Sequence, residues 1–375
     1  MQSENMATVA PATVTDHRRH DVDWLRTLAL ALLIVYHVTV SFQPWGVYVG
    51  FPQNEQPLEG LWLVMMMLNV WRIPIVFVIS GMGVRFALAR RNWQDLLQDR
   101  TIRILVPFVF CVFCIAPISA YFFQKYYEQE IAYTPNAGHL WFLGNIFVYV
   151  LLLLPLLTYL KNRPHNALFR FLSRLFSHAG GIVVLVLPLV LEAALTRPDS
   201  FVTYQWGFSP DGLYVPAHGF WLGLFCFFIG FLIISVQDAF WPAAEKMRWV
   251  VLIAAFLLFL MRLFVFTFWL EMEVGWLVAV ESMLWMLAFL GFGAHYLNKP
   301  SPRLRYFSAA VYPVYIVHLP TQFVLAYFLL PLSLPAFPKW ILLNAGTFAI
   351  SLLLYEILRR IKLVRPLFGM KARYA

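Results

Sequence analysis

Arg26 and His37 stand eleven residues apart in the otherwise apolar run WLRTLALALLIVYHVTVSF. Eleven helical steps return two side chains to within ~20° of one face, ~16 Å apart along the axis. A guanidinium at the mouth of a membrane span and an imidazole well inside it therefore share one polar stripe. Ionisable groups at that depth are costly and face a bundle interior or a water-filled cavity. A neutral imidazole placed there can accept a proton near physiological pH. The alternative is a histidine that only hydrogen-bonds a neighbouring helix. Asp23, three residues before Arg26, either orients that guanidinium or anchors the helix start at the interface.

Four further groups carry chemistry-bearing residues. In WRIPIVFVISGMGVRFA, Arg72 lies about midway through its span and needs an anion, a carbonyl or a ligand. Ser80 and Gly81 in the same run are read as packing residues, because no acid–base partner adjoins the serine in sequence. In DRTIRILVPF, Arg100 and Arg103 are one turn apart at a span mouth, where they suit phosphate groups or serve as topological anchors. In GHLWFLGNIFVY, His139 and Trp141 either belong to an aromatic interface belt or line a sugar site. In YPVYIVHLP, Tyr312, Tyr315 and His318 recur every three residues, and His318 lies at a depth comparable to His37. Two histidines at one level point to a shared cavity.

The elements that must position these residues are membrane helices. The chain has 375 residues, 61% hydrophobic and 13% charged, with mean hydropathy +0.71. Apolar runs of span length recur from end to end, so an all-α polytopic integral membrane protein is expected. Spans are predicted near 24–42, 61–84, 104–123, 140–160, 180–196, 216–236, 249–270, 276–296, 307–330 and 339–358. This gives an N-terminal tail at 1–20, one membrane domain at 21–360 and a basic tail at 361–375. HRRH at 17–20 is not followed by a short apolar region with a small-residue cleavage site, so no signal peptide is expected. With the N-terminus inside, 23 lysines and arginines fall on the inner side and 3 on the outer. That bias predicts both termini in the cytoplasm. The net charge of +9 thus reflects topology and gives no reason to expect a nucleic-acid partner. Cys111, Cys114 and Cys226 all fall in apolar spans and are read as packing residues, with no metal expected.

Taken in order, D-x-x-R with a histidine eleven residues beyond the arginine, R-x-P-x-x-F-x-x-S-G, R-x-x-R-x-x-x-P, H-L-W-F-L and a late Y-x-x-H resemble the membrane acyltransferase-3 family. The resemblance is closest to its glucan succinyltransferase branch, which acts in osmoregulated periplasmic glucan biosynthesis, and covers about 20 to 360. It implies a cytosolic acyl-CoA donor, acetyl-CoA or succinyl-CoA, and a carbohydrate hydroxyl as acceptor, in the inner (cytoplasmic) membrane. The family's arginine and histidine correspond to Arg26 and His37, and its R-x-x-R pair to Arg100 and Arg103. On that reading His37, Arg26 and Asp23 carry catalysis. Arg100, Arg103 and Arg72 hold the acyl-CoA, while His139, Trp141, Tyr315 and His318 line the pore or the acceptor site. Membrane lipid and a glycan are the expected partners. Two other classes remain open: a transporter or flippase for a polar metabolite, which should show repeat symmetry, and a non-catalytic partner in polysaccharide assembly.

Overall fold

A computed structural model describes residues 19–197, 207–209, 212–214, 217–268 and 275–371. His17 and Arg18 of the HRRH cluster, Pro210 and Arg373 lie outside the described residues. The chain runs α1 (His20–Val40), α2 (Trp62–Asn69), α3 (Arg72–Arg90), α4 (Trp93–Arg100), α5 (Val106–Cys114), α6 (Ala116–Tyr126), α7 (Trp141–Lys161) and α8 (Ala167–Phe176). It continues through α9 (Val186–Thr196), α10 (Ala217–Ser235), α11 (Gln237–Phe268), α12 (Gly275–Phe292), α13 (Pro302–Leu329) and α14 (Ala336–Leu358). Apart from a ribbon of two three-residue strands, β1 (Gly207–Ser209) and β2 (Gly212–Tyr214), the regular structure is helical.

Ten helical stretches among the described residues are long and apolar enough to cross a membrane. They coincide with the ten apolar runs of the sequence, because a run of ~20 apolar residues in lipid must satisfy its backbone internally and the helix does so. The third stretch begins at Trp93, earlier than its hydropathy indicates, because polar α4 is joined to α5 by a π-helical turn, Thr101–Leu105. Pro107 accounts for that turn: its ring would collide with the Arg103 carbonyl four residues back, and a widened turn relieves the clash.

The second stretch is interrupted between α2 and α3, so Arg72 opens α3 instead of lying mid-helix. Pro74 has no N–H to offer the Val70 carbonyl. The Ser282 hydroxyl of α12 donates to that oxygen at 2.7 Å, and Arg262 of α11 donates to the Met66 carbonyl at 3.0 Å. The break is therefore satisfied from neighbouring helices, as irregular backbone inside a membrane protein must be.

Close packing fixes the helices that carry the polar residues. A Cβ on Gly81 of α3 would lie 1.8 Å from the Phe227 carbonyl oxygen, and one on Gly230 of α10 would lie 1.9 Å from that of Val78. The two glycines let α3 and α10 touch backbone to backbone. This bears out the packing reading of Gly81, and Ser80 spends its hydroxyl on the Val76 carbonyl at 2.7 Å. Helix α1 packs against α13, which places the first and ninth spans side by side. Cys111 and Cys226 are buried and Cys114 is exposed on its helix.

Candidate active site

His37 of α1 and His318 of α13 meet across that contact, with His37 Nδ1 3.0 Å from His318 Nε2 and the rings within 8° of parallel. The other nitrogen of His318, Nδ1, lies 2.7 Å from the Tyr315 carbonyl oxygen. A carbonyl only accepts, so His318 Nδ1 carries the proton, and in a neutral ring its Nε2 holds a lone pair. His37 Nδ1–H must then donate to that lone pair. The remaining nitrogen of His37, Nε2, is left as an acceptor, and His37 lines a cavity. The backbone of α13 thus sets the tautomer of a histidine on another helix.

Prolines again explain why this backbone is available. Pro320 cannot donate to the Ile316 carbonyl, and His139 Nε2 fills that role at 3.1 Å while lying 3.1 Å from the Tyr315 carbonyl as well. The Tyr315 hydroxyl returns a bond to the His139 carbonyl. The start of α7 is thereby stapled to α13, and His139, Tyr315 and His318 form one buried cluster, with the His139 and His318 rings 5.0 Å apart. His139 is therefore no part of a membrane-surface aromatic belt. On the side of His37 away from Arg26, the ring of Phe51 approaches it to 5.7 Å. Phe51 belongs to a connection held by Tyr126 and Tyr127, whose hydroxyls donate to the Gln53 and Phe51 carbonyls at 2.8 and 3.1 Å.

At the opposite, basic end, Arg26 Nη2 donates to Asp23 Oδ1 at 2.9 Å and to the Ser308 hydroxyl at 2.6 Å. Ser308 in turn donates to Asp23 Oδ1 at 3.2 Å. Asp23 and a serine of α13 together hold the guanidinium. Asp99 collects three arginines: Arg91 at 2.9 Å, Arg103 at 3.8 Å and Arg100 at 4.0 Å. Arg72 lies over the ring of Tyr36, the residue before His37, with its guanidinium carbon 3.6 Å from the ring centre in a cation–π contact.

One cavity of about 490 Å³ joins these groups. Its wall includes Arg26, Arg72, Arg100 and Arg103, and at its deep end, away from the basic mouth, His37, His139, Trp141 and Tyr315. Asp23 and His318 stand behind the wall, each holding a residue that lines it. Sequence reasoning missed Arg359, Arg365 and Lys371, which also line the cavity. Their only signal was a basic C-terminal stretch, which reads equally well as a topology determinant. It missed Ser308 as well, since a lone serine carries no pattern. No group of three or more His, Cys, Asp or Glu among the described residues is arranged to hold a metal.

The family model described as an acyltransferase domain matches residues 19–356. No curated protein and no solved structure matches the chain.

Proposed function

The chain belongs to the acyltransferase-3 family, and from that premise we propose that it transfers an acyl group from a coenzyme A thioester to a hydroxyl of a glycan acceptor in the cytoplasmic membrane. One observation carries the donor reading. Among the described residues six arginines and one lysine line the cavity, and no aspartate or glutamate does. A wall of that composition is matched by a ligand with several phosphate charges at one end. The lysine and arginine bias of the chain supports an orientation with the basic end in the cytosol, where acyl-CoA is found. From Arg26 the cavity leads ~16 Å along α1 to His37, a reach comparable to that of an extended pantetheine arm.

The chemistry follows from the tautomer. The acceptor hydroxyl oxygen bonds to the thioester carbonyl carbon while His37 Nε2 takes the hydroxyl proton. The imidazolium so formed is steadied by the Nδ1–H bond to His318. The carbonyl π pair moves to oxygen, and Arg72 supplies positive charge toward that oxyanion. When the pair returns, the carbon–sulfur bond breaks, the sulfur takes the proton from His37, and ester and free thiol leave. A succinyl donor places a second anion, its terminal carboxylate, within the same cationic wall, which supports succinyl-CoA over acetyl-CoA.

The test is incubation of the purified full-length protein with radiolabelled acetyl-CoA or succinyl-CoA and membrane glycan, followed by capture of labelled glycan. Label should pass to glycan in the wild type and fall to background in His37→Ala, with the variant still inserted in the membrane. Transfer that survives His37→Ala overturns the base assignment, and a wild type that fails to bind either CoA ester overturns the donor assignment.

A further inference from the structure

The acyltransferase-domain match ends at residue 356, yet the chain beyond it is not a loose tail. Residues 359–371 turn back under the basic end of the bundle. Arg365 Nε donates to the Arg359 carbonyl at 2.7 Å, closing the turn. The short helix Arg365–Phe368 then packs against α5, with Phe368 buried and its ring 5.9 Å from that of Phe110. Gly369 comes next at φ +69°, a conformation that glycine adopts without strain, and the Tyr312 ring occupies the space that any Cβ would need. A hydrophobic foot and a fitted glycine thus hold this segment in one place.

That place is the cavity mouth. Arg359, Arg365, Gly369, Met370 and Lys371 line the same cavity as Arg100 and Arg103. Arg100 and Arg103 are tied to Asp99 and Arg359 to Glu356 at 2.8 Å, and the facing segment 359–371 contains three arginines and two lysines and no acidic residue of its own. We propose that residues 359–371, beyond the matched acyltransferase domain, form the second wall of the donor phosphate site, with Arg365 and Lys371 contacting the phosphates opposite Arg100 and Arg103. The proposal rests on the polyphosphate donor reading and assigns it a determinant outside the matched domain. Arg365 fits this role best because its position is fixed by Phe368 and by its own bond to the Arg359 carbonyl, so little ordering remains to be done on binding.

Binding of CoA and of inorganic pyrophosphate to the purified full-length protein, measured calorimetrically at low and high salt, tests this. Arg365→Gln should weaken CoA binding ~10- to 100-fold, the range for a lost charge-assisted hydrogen bond, and Lys371→Gln, at the exposed rim, ~2- to 5-fold. Both should flatten the salt dependence, as Arg103→Gln should. Gly369→Val, which cannot coexist with Tyr312 in place, should match or exceed the loss in Arg365→Gln. Thermal unfolding is followed in parallel, and Lys371→Gln, exposed and free of packing duties, keeps the test decisive if Arg365→Gln is unstable. CoA binding at wild-type strength in Lys371→Gln and in a stable Arg365→Gln overturns the inference and leaves the donor reading standing. A wild type that binds pyrophosphate but not CoA overturns the donor reading, and the pyrophosphate affinities of the variants then decide the wall. A wild type that binds neither overturns both.

Discussion

His318→Ala isolates the part of catalysis that depends on tautomer. In the wild type, His37 Nδ1–H has one acceptor, His318 Nε2 at 3.0 Å, whose own tautomer is set by the Tyr315 carbonyl at 2.7 Å. Alanine removes the acceptor and leaves a buried N–H without a partner, at a cost of ~1–3 kcal/mol. The alternative tautomer, with the proton on Nε2, escapes that cost but cannot accept the substrate proton. At ~1.36 kcal/mol per tenfold in rate, the loss in kcat is ~5- to 150-fold. Removing the base itself should cost ~10²- to 10⁴-fold. Because His318 acts only through His37, the double variant His37→Ala/His318→Ala should be no slower than His37→Ala alone. His318→Gln, whose amide oxygen reaches the position of Nε2, should recover part of the rate, and KM for the donor should stay near wild type in every case. Steady-state transfer of label from acyl-CoA to glycan reads all of these. A multiplicative double variant, or equal loss in His318→Ala and His318→Gln, would refute the relay.

Arg72→Gln keeps the bulk of the side chain over Tyr36 and removes the charge, so transfer from succinyl-CoA should drop more than transfer from acetyl-CoA in the same assay. Equal loss with both donors would confine Arg72 to the oxyanion. Gly81→Ala drives a Cβ toward the Phe227 carbonyl, 1.8 Å away before any relaxation, and the helices must separate. Overpacking of this kind costs ~1–3 kcal/mol, to be seen as a lower thermal midpoint of the detergent-purified protein. A midpoint equal to the wild type would show that α3 and α10 are not in backbone contact.

The spans were legible because apolar run length in a membrane is nearly a structural statement. The Arg26–His37 face was legible for a similar reason, since both residues sit on one uninterrupted helix whose period fixes their relation. The pairing of His37 with His318 was not: their equal depth could be read, but the contact of α1 with α13 joins residues 281 apart in sequence. Arg72 does lie near the middle of its span, but the break that makes it open α3 was not legible in hydropathy, which is blind to a helix break between two apolar halves. Pro74 was the visible sign of that break. The role of residues 359–371 was hidden because a short stretch rich in Lys and Arg reads as a tail, although Leu367 and Phe368 in its midst are apolar and Phe368 is buried.

Glu281 shows how the buried cations divide. A carboxylate in the apolar run GWLVAVESMLWML demands a cation on a neighbouring helix. Arg262 supplies it through two bonds, at 2.6 and 3.1 Å, with Trp285 donating to the same carboxylate at 3.3 Å. The remaining reach of Arg262 goes to the Met66 carbonyl at the break between α2 and α3. This arginine is neutralised, spent on backbone and absent from the cavity wall, so its work is to hold the break that turns Arg72 toward the cavity. Lys339 is likewise spent on scaffold, though on uncharged acceptors, the Asn54 side chain and the Leu330 carbonyl. The seven cations of the cavity differ in lining a space whose wall, among the described residues, includes no carboxylate. Like charges gathered around a common space are offset by carboxylates behind the wall, such as Asp23 and Asp99, and further by a ligand that brings negative charge. The fold therefore commits Arg262 and Lys339 to scaffold and gathers seven other cations around one cavity, with Arg26, Arg100, Arg103 and Arg359 held from behind by Asp23, Asp99 and Glu356.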